Sequence, residues 1–181
     1  MKFYARLYYY YNSLVIKLLR AILIIVLIPL SIFSLTDTFY PNLLIALLSL
    51  FLIFEIFFKF KVEKLTPSSD VSKSEKDPLN LFTLLALSHF LASKDTKKLI
   101  RNLLTTSQAR FILEKADIDK KELKFFDVDK NDLVNQALLV AKTVNGKLIT
   151  TMDLLTAFLL LTEPNTKLLF SKKLKPEDLE A

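Results

Sequence analysis

The chain has 181 residues, of which 52% are hydrophobic, one is glycine, one is histidine and none is cysteine. Glycine-rich loops for dinucleotides or phosphates need several glycines, so one glycine excludes both. The absence of cysteine and the single histidine, His89, exclude the common zinc clusters and any nucleophile–histidine site not built on His89. The composition therefore predicts that these 181 residues do no cofactor chemistry and bind no metal, and we expect no enzymatic activity within them.

The net charge of +6 lies mostly on the apolar first third of the chain. Residues 1–64 hold seven basic and three acidic residues, and the rest of the chain holds 18 and 16. A nucleic-acid-binding protein would carry its basic stripe on the folded domain. The distribution favours a membrane surface as the partner of the basic residues and predicts no nucleic acid.

Two apolar stretches predict a membrane-anchoring helical hairpin within residues 1–64. Residues 14–35 form a stretch of roughly 22 residues and residues 39–58 one of roughly 20, and each length can cross a bilayer. Pro29 lies inside the first stretch, where a membrane helix tolerates it. The three residues between them, 36–38, are too few for anything but a tight turn, so we expect an antiparallel pair.

The lysines and arginines predict the orientation of this hairpin. Both outer flanks are basic, whereas the turn holds only Asp37, so both termini are expected in the cytoplasm and two spans in the cell (inner) membrane. Residues 8–11 and 39–40 are interpreted as interfacial aromatic anchors. Lys17 and Arg20 are expected to reach the interface with their charged ends.

Two alternatives concern the hairpin. A cleaved signal peptide would explain the first stretch, but no A-x-A-like site is present and a second stretch follows. Glu55 is either a functional acid inside the membrane or a carboxylate that reaches Lys59 or headgroup water, and its place one turn from the basic flank favours the second interpretation.

Residues 65–78 are rich in Ser, Pro, Asp and Lys and predict a flexible linker. Residues 79–181 then have a helical pattern throughout. Five helices are predicted. The first covers residues 79–91, the second is capped by Asp95 and reaches residue 104, and the third is capped by Ser107 and reaches residue 116. The fourth covers residues 120–125 after Asp119, and the fifth runs from Asp129 or Asn131 to residue 144.

The turn "NGKLIT" is the most closely specified part of this domain. Asn145 and Gly146 predict a helix stop with Gly146 in the left-handed conformation. Thr150 and Asp153 nearly match a capping box and predict the start of a leucine-rich helix. Pro164 suits the first turn of a further helix, and Pro176 that of a last one.

The second half of the domain repeats the first at an offset of 56 residues. Apolar positions that coincide include Leu99, Leu103 and Leu104 with Leu155, Leu159 and Leu160, Ile112 and Leu113 with Leu168 and Leu169, and Ile118 and Leu123 with Leu174 and Leu179. Helix breaks coincide as well. The fold class predicted is all-α, with a pseudo-twofold bundle of two four-helix repeats, at about residues 79–125 and 129–181.

This domain resembles the double-repeat N-terminal domain of Clp-type AAA+ unfoldases. That repeat contains a glycine turn, the pattern I-x-T-x-x-L-L-x-A-L-L and a closing G-V-D-x-x-x-L. The second copy matches with Gly146, Ile149, Thr151, Leu154, Leu155, Ala157, Leu159 and Leu160. "KADIDKKEL" at 115–123 and "KLKPEDL" at 173–179 are the closing elements. The resemblance covers residues 79–181.

The resemblance implies a membrane-tethered domain that recruits substrate or adaptor proteins and does no chemistry itself. We expect it to be the N-terminal part of a Clp-like AAA+ ATPase that works as a hexamer. A freestanding membrane-anchored adaptor or scaffold without a linked ATPase is the alternative. A third hypothesis, a pore or transporter subunit with a helical regulatory tail, is disfavoured because the sequence suggests no paired polar residues along a path through the spans.

Phe125 and Phe126, between the repeats, are the candidate protein-binding residues, although packing between the repeats is the more usual fate of such aromatics. Some family members bind phosphorylated arginine through a glutamate early in the core helix of each repeat. Thr96 and Met152 hold those positions here, so we expect no phosphoarginine binding. His89 is expected to be a hydrogen-bonded core residue.

Overall fold

The computed structural model describes residues 1–34, 41–67, 70–72, 77–115 and 117–172. The chain divides into two compact units, one of residues 7–65 and one of residues 66–181 together with 1–6. Secondary structure in the described residues is helical apart from one isolated β-bridge, so the predicted all-α class is confirmed for them.

The smaller unit contains the two long apolar helices. Helix α1 spans Lys2–Tyr11, α2 spans Leu14–Ser34 and α3 spans Pro41–Phe57, and α3 continues into a π-helical turn, Phe58–Val62. Two segments, Leu14–Ile32 and Leu43–Val62, are long and apolar enough to cross a membrane, and only 6% of each is buried within the chain. That exposed apolar surface is unlike a core helix of a soluble protein. The predicted turn at 36–38 lies outside the described residues.

The larger unit is a bundle of six helices among the described residues. They are α4 Leu84–Ala92, α5 Thr96–Leu103, α6 Ser107–Lys115, α7 Lys130–Thr143, α8 Thr151–Leu161 and α9 Glu163–Ser171. The predicted caps at Asp95 and Asp129 are confirmed, because each carboxylate accepts backbone N–H groups of the following turn. Ser107 is already helical, and Thr106 Oγ1 accepts the Ala109 N–H at 3.3 Å in its place.

Helix α8 forms the centre of this bundle. It contacts α4, α5, α6, α7 and α9, and its residues from Asp153 to Leu159 are all buried. Fully burying one leucine or phenylalanine contributes about 1.5–3 kcal/mol, so the buried leucines and phenylalanine of this helix add substantially to the hydrophobic stabilisation. Its N-terminus has the predicted capping box: Thr150 Oγ1 accepts the Asp153 N–H at 3.2 Å, and Asp153 Oδ2 accepts the Thr150 N–H at 2.6 Å.

The predicted helix over 79–91 is wrong at its start. Residues Pro78–Leu81 form a 3₁₀ turn, and α4 begins only at Leu84. Phe82 is extended because it pairs with Ile149: the Ile149 N–H donates to Leu81 O at 2.7 Å and the Thr83 N–H donates to Ile149 O at 2.9 Å. Within the predicted linker, Val71 is buried and its N–H donates to Lys147 O at 2.9 Å.

The predicted helix over 120–125 is also wrong. This segment is a turn in which Asp119 Oδ1 accepts the Lys121 N–H at 3.0 Å and Asp119 O accepts the Glu122 N–H at 2.9 Å. Asp119 thus caps a single turn, and residues 123–129 after it form no helix. The first copy therefore has three helices rather than four, and the matching segment of the second copy, 173–179, lies outside the described residues.

The offset of 56 residues agrees with the structure in two helices of each copy. Shifted by 56, α5 and α6 become residues 152–159 and 163–171, which fall within α8 and on α9. Shifted α4 becomes 140–148, whereas α7 ends at Thr143. The constant offset of 56 residues is therefore wrong for α4 and α7, because the loop before α8 is longer than the loop 93–95 before α5. The pseudo-twofold arrangement itself stays a prediction.

The helix stop at the end of α7 lies where the sequence predicts it, but its conformation differs. Asn145, not Gly146, has the left-handed backbone, with φ 56°. The Gly146 N–H donates to Ala141 O at 2.7 Å and the Asn145 N–H donates to Lys142 O at 3.2 Å, the two hydrogen bonds of a Schellman motif. A Cβ on Gly146 would lie 3.1 Å from Ala141 O, so a side chain here would fit only if the end of α7 shifted by a few tenths of an ångström.

Glycine should be the better residue at position 145, and alanine the better residue at Asn135, which is exposed inside α7. We expect Asn145→Gly to exceed Asn145→Ala in free energy of unfolding by about 1 kcal/mol, since only glycine adopts the left-handed region freely. Asn135→Gly should fall below Asn135→Ala by about 1 kcal/mol. Urea unfolding of the full chain in detergent measures all four variants. If the same residue, glycine or alanine, were the more stabilising one at both positions, the left-handed conformation of Asn145 would be contradicted.

Candidate functional site

The segment that connects the two halves of the bundle is fixed at both ends by buried polar side chains. Asn165, which is 1% exposed, accepts the Lys124 N–H at 3.0 Å and donates to Lys124 O at 2.9 Å. Thr96, equally buried, donates to Val128 O at 2.5 Å, and its N–H donates to the Asp127 carboxylate at 3.3 Å. The backbone from 124 to 128 is therefore held between α5 and α9.

The two candidate phenylalanines on this segment have different environments. Phe125 is half-buried, with the Arg101 guanidinium 5.5 Å from its ring centre, a cation–π contact. Phe126 is 44% exposed. An aromatic side chain on a fixed backbone loses little freedom on binding, which is the property of a good interface anchor. Phe126 is thus available to a partner, while Phe125 supports the segment.

Helix α5, which holds one end of this segment, exposes Lys97, Lys98 and Arg101, and none of them forms an ion pair with a carboxylate of the described residues. The carboxylates of Asp95 and Asp127 accept backbone N–H groups of α5, and Asp127 directly follows Phe126. Side chains of both charge signs therefore lie in and beside this segment.

The structure also locates three other residues that the sequence analysis considered. Thr96 lies where the family glutamate is expected, and its hydroxyl donates to the Val128 carbonyl. Met152, the corresponding residue of the second copy, is half-buried in the first turn of α8. His89 is half-buried on α4, and burial lowers its pKa, which keeps the imidazole neutral at pH 7.

A second group of polar residues joins the three helices of the smaller unit, the hairpin unit of residues 7–65. Arg20 of α2 binds Glu55 of α3 through two nitrogens: Nε donates to Oε1 at 2.6 Å and Nη2 donates to Oε2. The Tyr11 hydroxyl donates to Glu55 Oε2 at 2.5 Å, and the Arg20 guanidinium lies 3.8 Å from the Tyr11 ring centre. Burial raises the pKa of Tyr11, and its hydrogen bond to Glu55 adds to that rise, so the phenol keeps its proton.

This polar cluster bears on two predictions. Glu55 binds Arg20 and Tyr11 rather than Lys59, and the guanidinium of Arg20 is paired with a carboxylate that the sequence did not assign to it. A charge within an apolar segment is costly unless it is paired, which is why the pair forms. The two apolar helices therefore do contain a paired polar group, although a single pair is not a path across a membrane.

No protein-family model, no curated protein and no solved structure matches this chain. The resemblance to the Clp N-terminal domain therefore rests on the motif residues alone and stays a prediction. The two polar arrangements with a defined geometry are the connecting segment of the bundle and the Arg20–Glu55–Tyr11 cluster of the hairpin unit.

Asn165→Ala should lower the free energy of unfolding by about 2–3 kcal/mol, because it removes three hydrogen bonds of a buried amide, one of them to Thr162. The exposed Asn131→Ala is the control and should change stability by less than about 0.5 kcal/mol. Hydrogen exchange should also become faster at the amides of 124–126 in the first variant. Unchanged exchange there would mean that Asn165 does not hold the segment.

Proposed function

We propose that residues 79–181 form a protein-recognition domain that is tethered to a membrane by the hairpin and recruits proteins at the cytoplasmic face. The observation that carries the proposal is the exposed Phe126 on a backbone fixed by Asn165 and Thr96. Exposed aromatic anchors on rigid supports are characteristic of protein-binding surfaces.

The resemblance to the Clp N-terminal domain supports a more specific form of the proposal, in which the bound proteins are substrates or adaptors of an AAA+ ATPase. In the closing pattern G-V-D-x-x-x-L the glycine corresponds to Asp117, which has φ 51°. The two apolar positions correspond to Ile118 and Leu123, and both are buried. A left-handed residue at the glycine position and buried residues at the apolar ones are what that pattern requires.

The tether is supported by the exposed apolar surface of α2 and α3. Those helices would expose a large apolar area to water, and lipid removes that cost. The basic residues before α2 and after α3 favour retention of both ends on the cytoplasmic side.

Phe126→Ala should weaken binding of an unfolded polypeptide such as β-casein about tenfold, since losing a central aromatic contact costs about 1.4 kcal/mol or more. Fluorescence anisotropy of labelled casein with the full chain in lipid nanodiscs measures the affinity. Phe111→Ala is the matched control, because Phe111 is also exposed, at 61%, but lies on α6. Equal affinities of both variants and the unchanged chain would reject Phe126 as an anchor.

A labelling experiment tests the predicted orientation. The chain has no cysteine, so Asp37→Cys and Lys94→Cys each introduce a single reactive thiol. A membrane-impermeant maleimide should label position 37 in intact cells and position 94 only after the membrane is opened. Lysed cells, in which both positions should react, are the control. Labelling of position 94 in intact cells would refute the proposed cytoplasmic location.

A further inference from the structure

A cavity of about 510 Å³ lies at the end of the hairpin unit where the chain enters α2 and leaves α3. Its polar lining comes from Tyr11, Asn12, Arg20, Glu55, Lys59 and Glu63. All of these residues belong to the unit of residues 7–65. The cavity thus combines two basic and two acidic side chains at one end of two apolar helices.

The lining residues are arranged by depth. Arg20 lies six residues inside α2 and Glu55 seven residues before Val62, which is about 9–10 Å from the ends of the apolar segments at 1.5 Å per residue. Asn12, Lys59 and Glu63 lie near those ends. In a bilayer the outer group would lie at the headgroup layer and the inner group below it, toward the apolar core.

The inner group is already occupied by its own contacts, and the Asn12 amide donates to Tyr8 O at 3.1 Å, but Lys59 and Glu63 are not occupied. Both oxygens of Glu55 accept hydrogen bonds, from Arg20 and from Tyr11. Lys59 and Glu63 are exposed, and neither forms an ion pair or a hydrogen bond through its side chain with any of the described residues. One ammonium group and one carboxylate therefore remain for a ligand, together with Nη1 of Arg20, for which the described contacts include no hydrogen bond.

The π-helical turn explains why Lys59 and Glu63 do not pair with each other. They are four residues apart, a spacing that brings side chains together on an α-helix. The Glu63 N–H instead donates to Phe58 O at 3.1 Å, five residues back, and the wider turn moves the two side chains out of line. Isolated π-helical turns often occur at functional sites.

We propose that this cavity binds the headgroup of a zwitterionic phospholipid that carries a primary ammonium beside its phosphate, as in phosphatidylethanolamine. Lys59 and Arg20 would bind the phosphate and Glu63 the ammonium, while the acyl chains lie along the apolar surface of α3. A choline headgroup has no N–H to donate to Glu63. An anionic glycerol headgroup would leave the carboxylate without a cation.

Native mass spectrometry of the full chain with lipids of identical acyl chains tests this selectivity. The ethanolamine lipid should be retained about tenfold better than the choline lipid. Glu63→Gln should remove that preference and leave retention of the glycerol lipid equal or higher. Lys59→Gln should weaken retention of the ethanolamine and glycerol lipids alike. Lys61→Gln, an exposed residue of the same π-helical turn outside the cavity, should change neither.

Equal retention of the ethanolamine and choline lipids by the unchanged chain would overturn the proposal. An effect of Lys61→Gln as large as that of Lys59→Gln would do so too, since it would indicate general attraction to charge. Displacement of the lipid by soluble phosphoethanolamine at equal concentration would identify a small-molecule site instead. None of the substituted residues takes part in the Arg20–Glu55 pair, and unchanged helicity by circular dichroism would establish that the hairpin is intact in each variant.

Discussion

The burial of α8 on all sides is the constraint on which the larger unit depends. A helix without a solvent-facing side must have its terminal backbone groups satisfied within the chain, and here the capping box of Thr150 and Asp153 does so. Ile149, just before that cap, is hydrogen-bonded to the chain at Leu81 and Thr83, which fixes the entry to α4. One helix thereby sets the positions of the elements on both of its sides.

Polar groups in apolar surroundings must also be paired in the hairpin unit. Most of the surface of α2 and α3 is apolar and exposed, so water is a poor environment for it. Arg20 and Glu55 satisfy each other and Tyr11 completes the contacts of the carboxylate, which removes the cost of isolated charges within the spans. The cavity beside them is open because Lys59 and Glu63, at the level of the helix ends, do not complete such a pair.

The sequence predicted those helix ends that depend on contacts between residues close together in the chain. Asp95, Asp129 and Thr150 cap helices because their side chains reach their own backbone, and sequence spacing alone reveals that. The start of α4 was not predictable in this way, since Phe82 is extended only because Ile149 lies beside it. The ion pair of Arg20 likewise depends on how two distant helices align. Such contacts become visible only when the chain is folded.

The connecting segment shows why the candidate site was only half predictable. The sequence marks Phe125 and Phe126 equally, and aromatic residues between two repeats usually pack. Anchoring of Lys124 by Asn165 and of Val128 by Thr96 fixes the backbone so that successive side chains face different ways. One ring then lies under Arg101 and the next faces solvent. The exposed aromatic surface that we propose for binding another protein thus arises from the polar contacts of residues that are themselves buried.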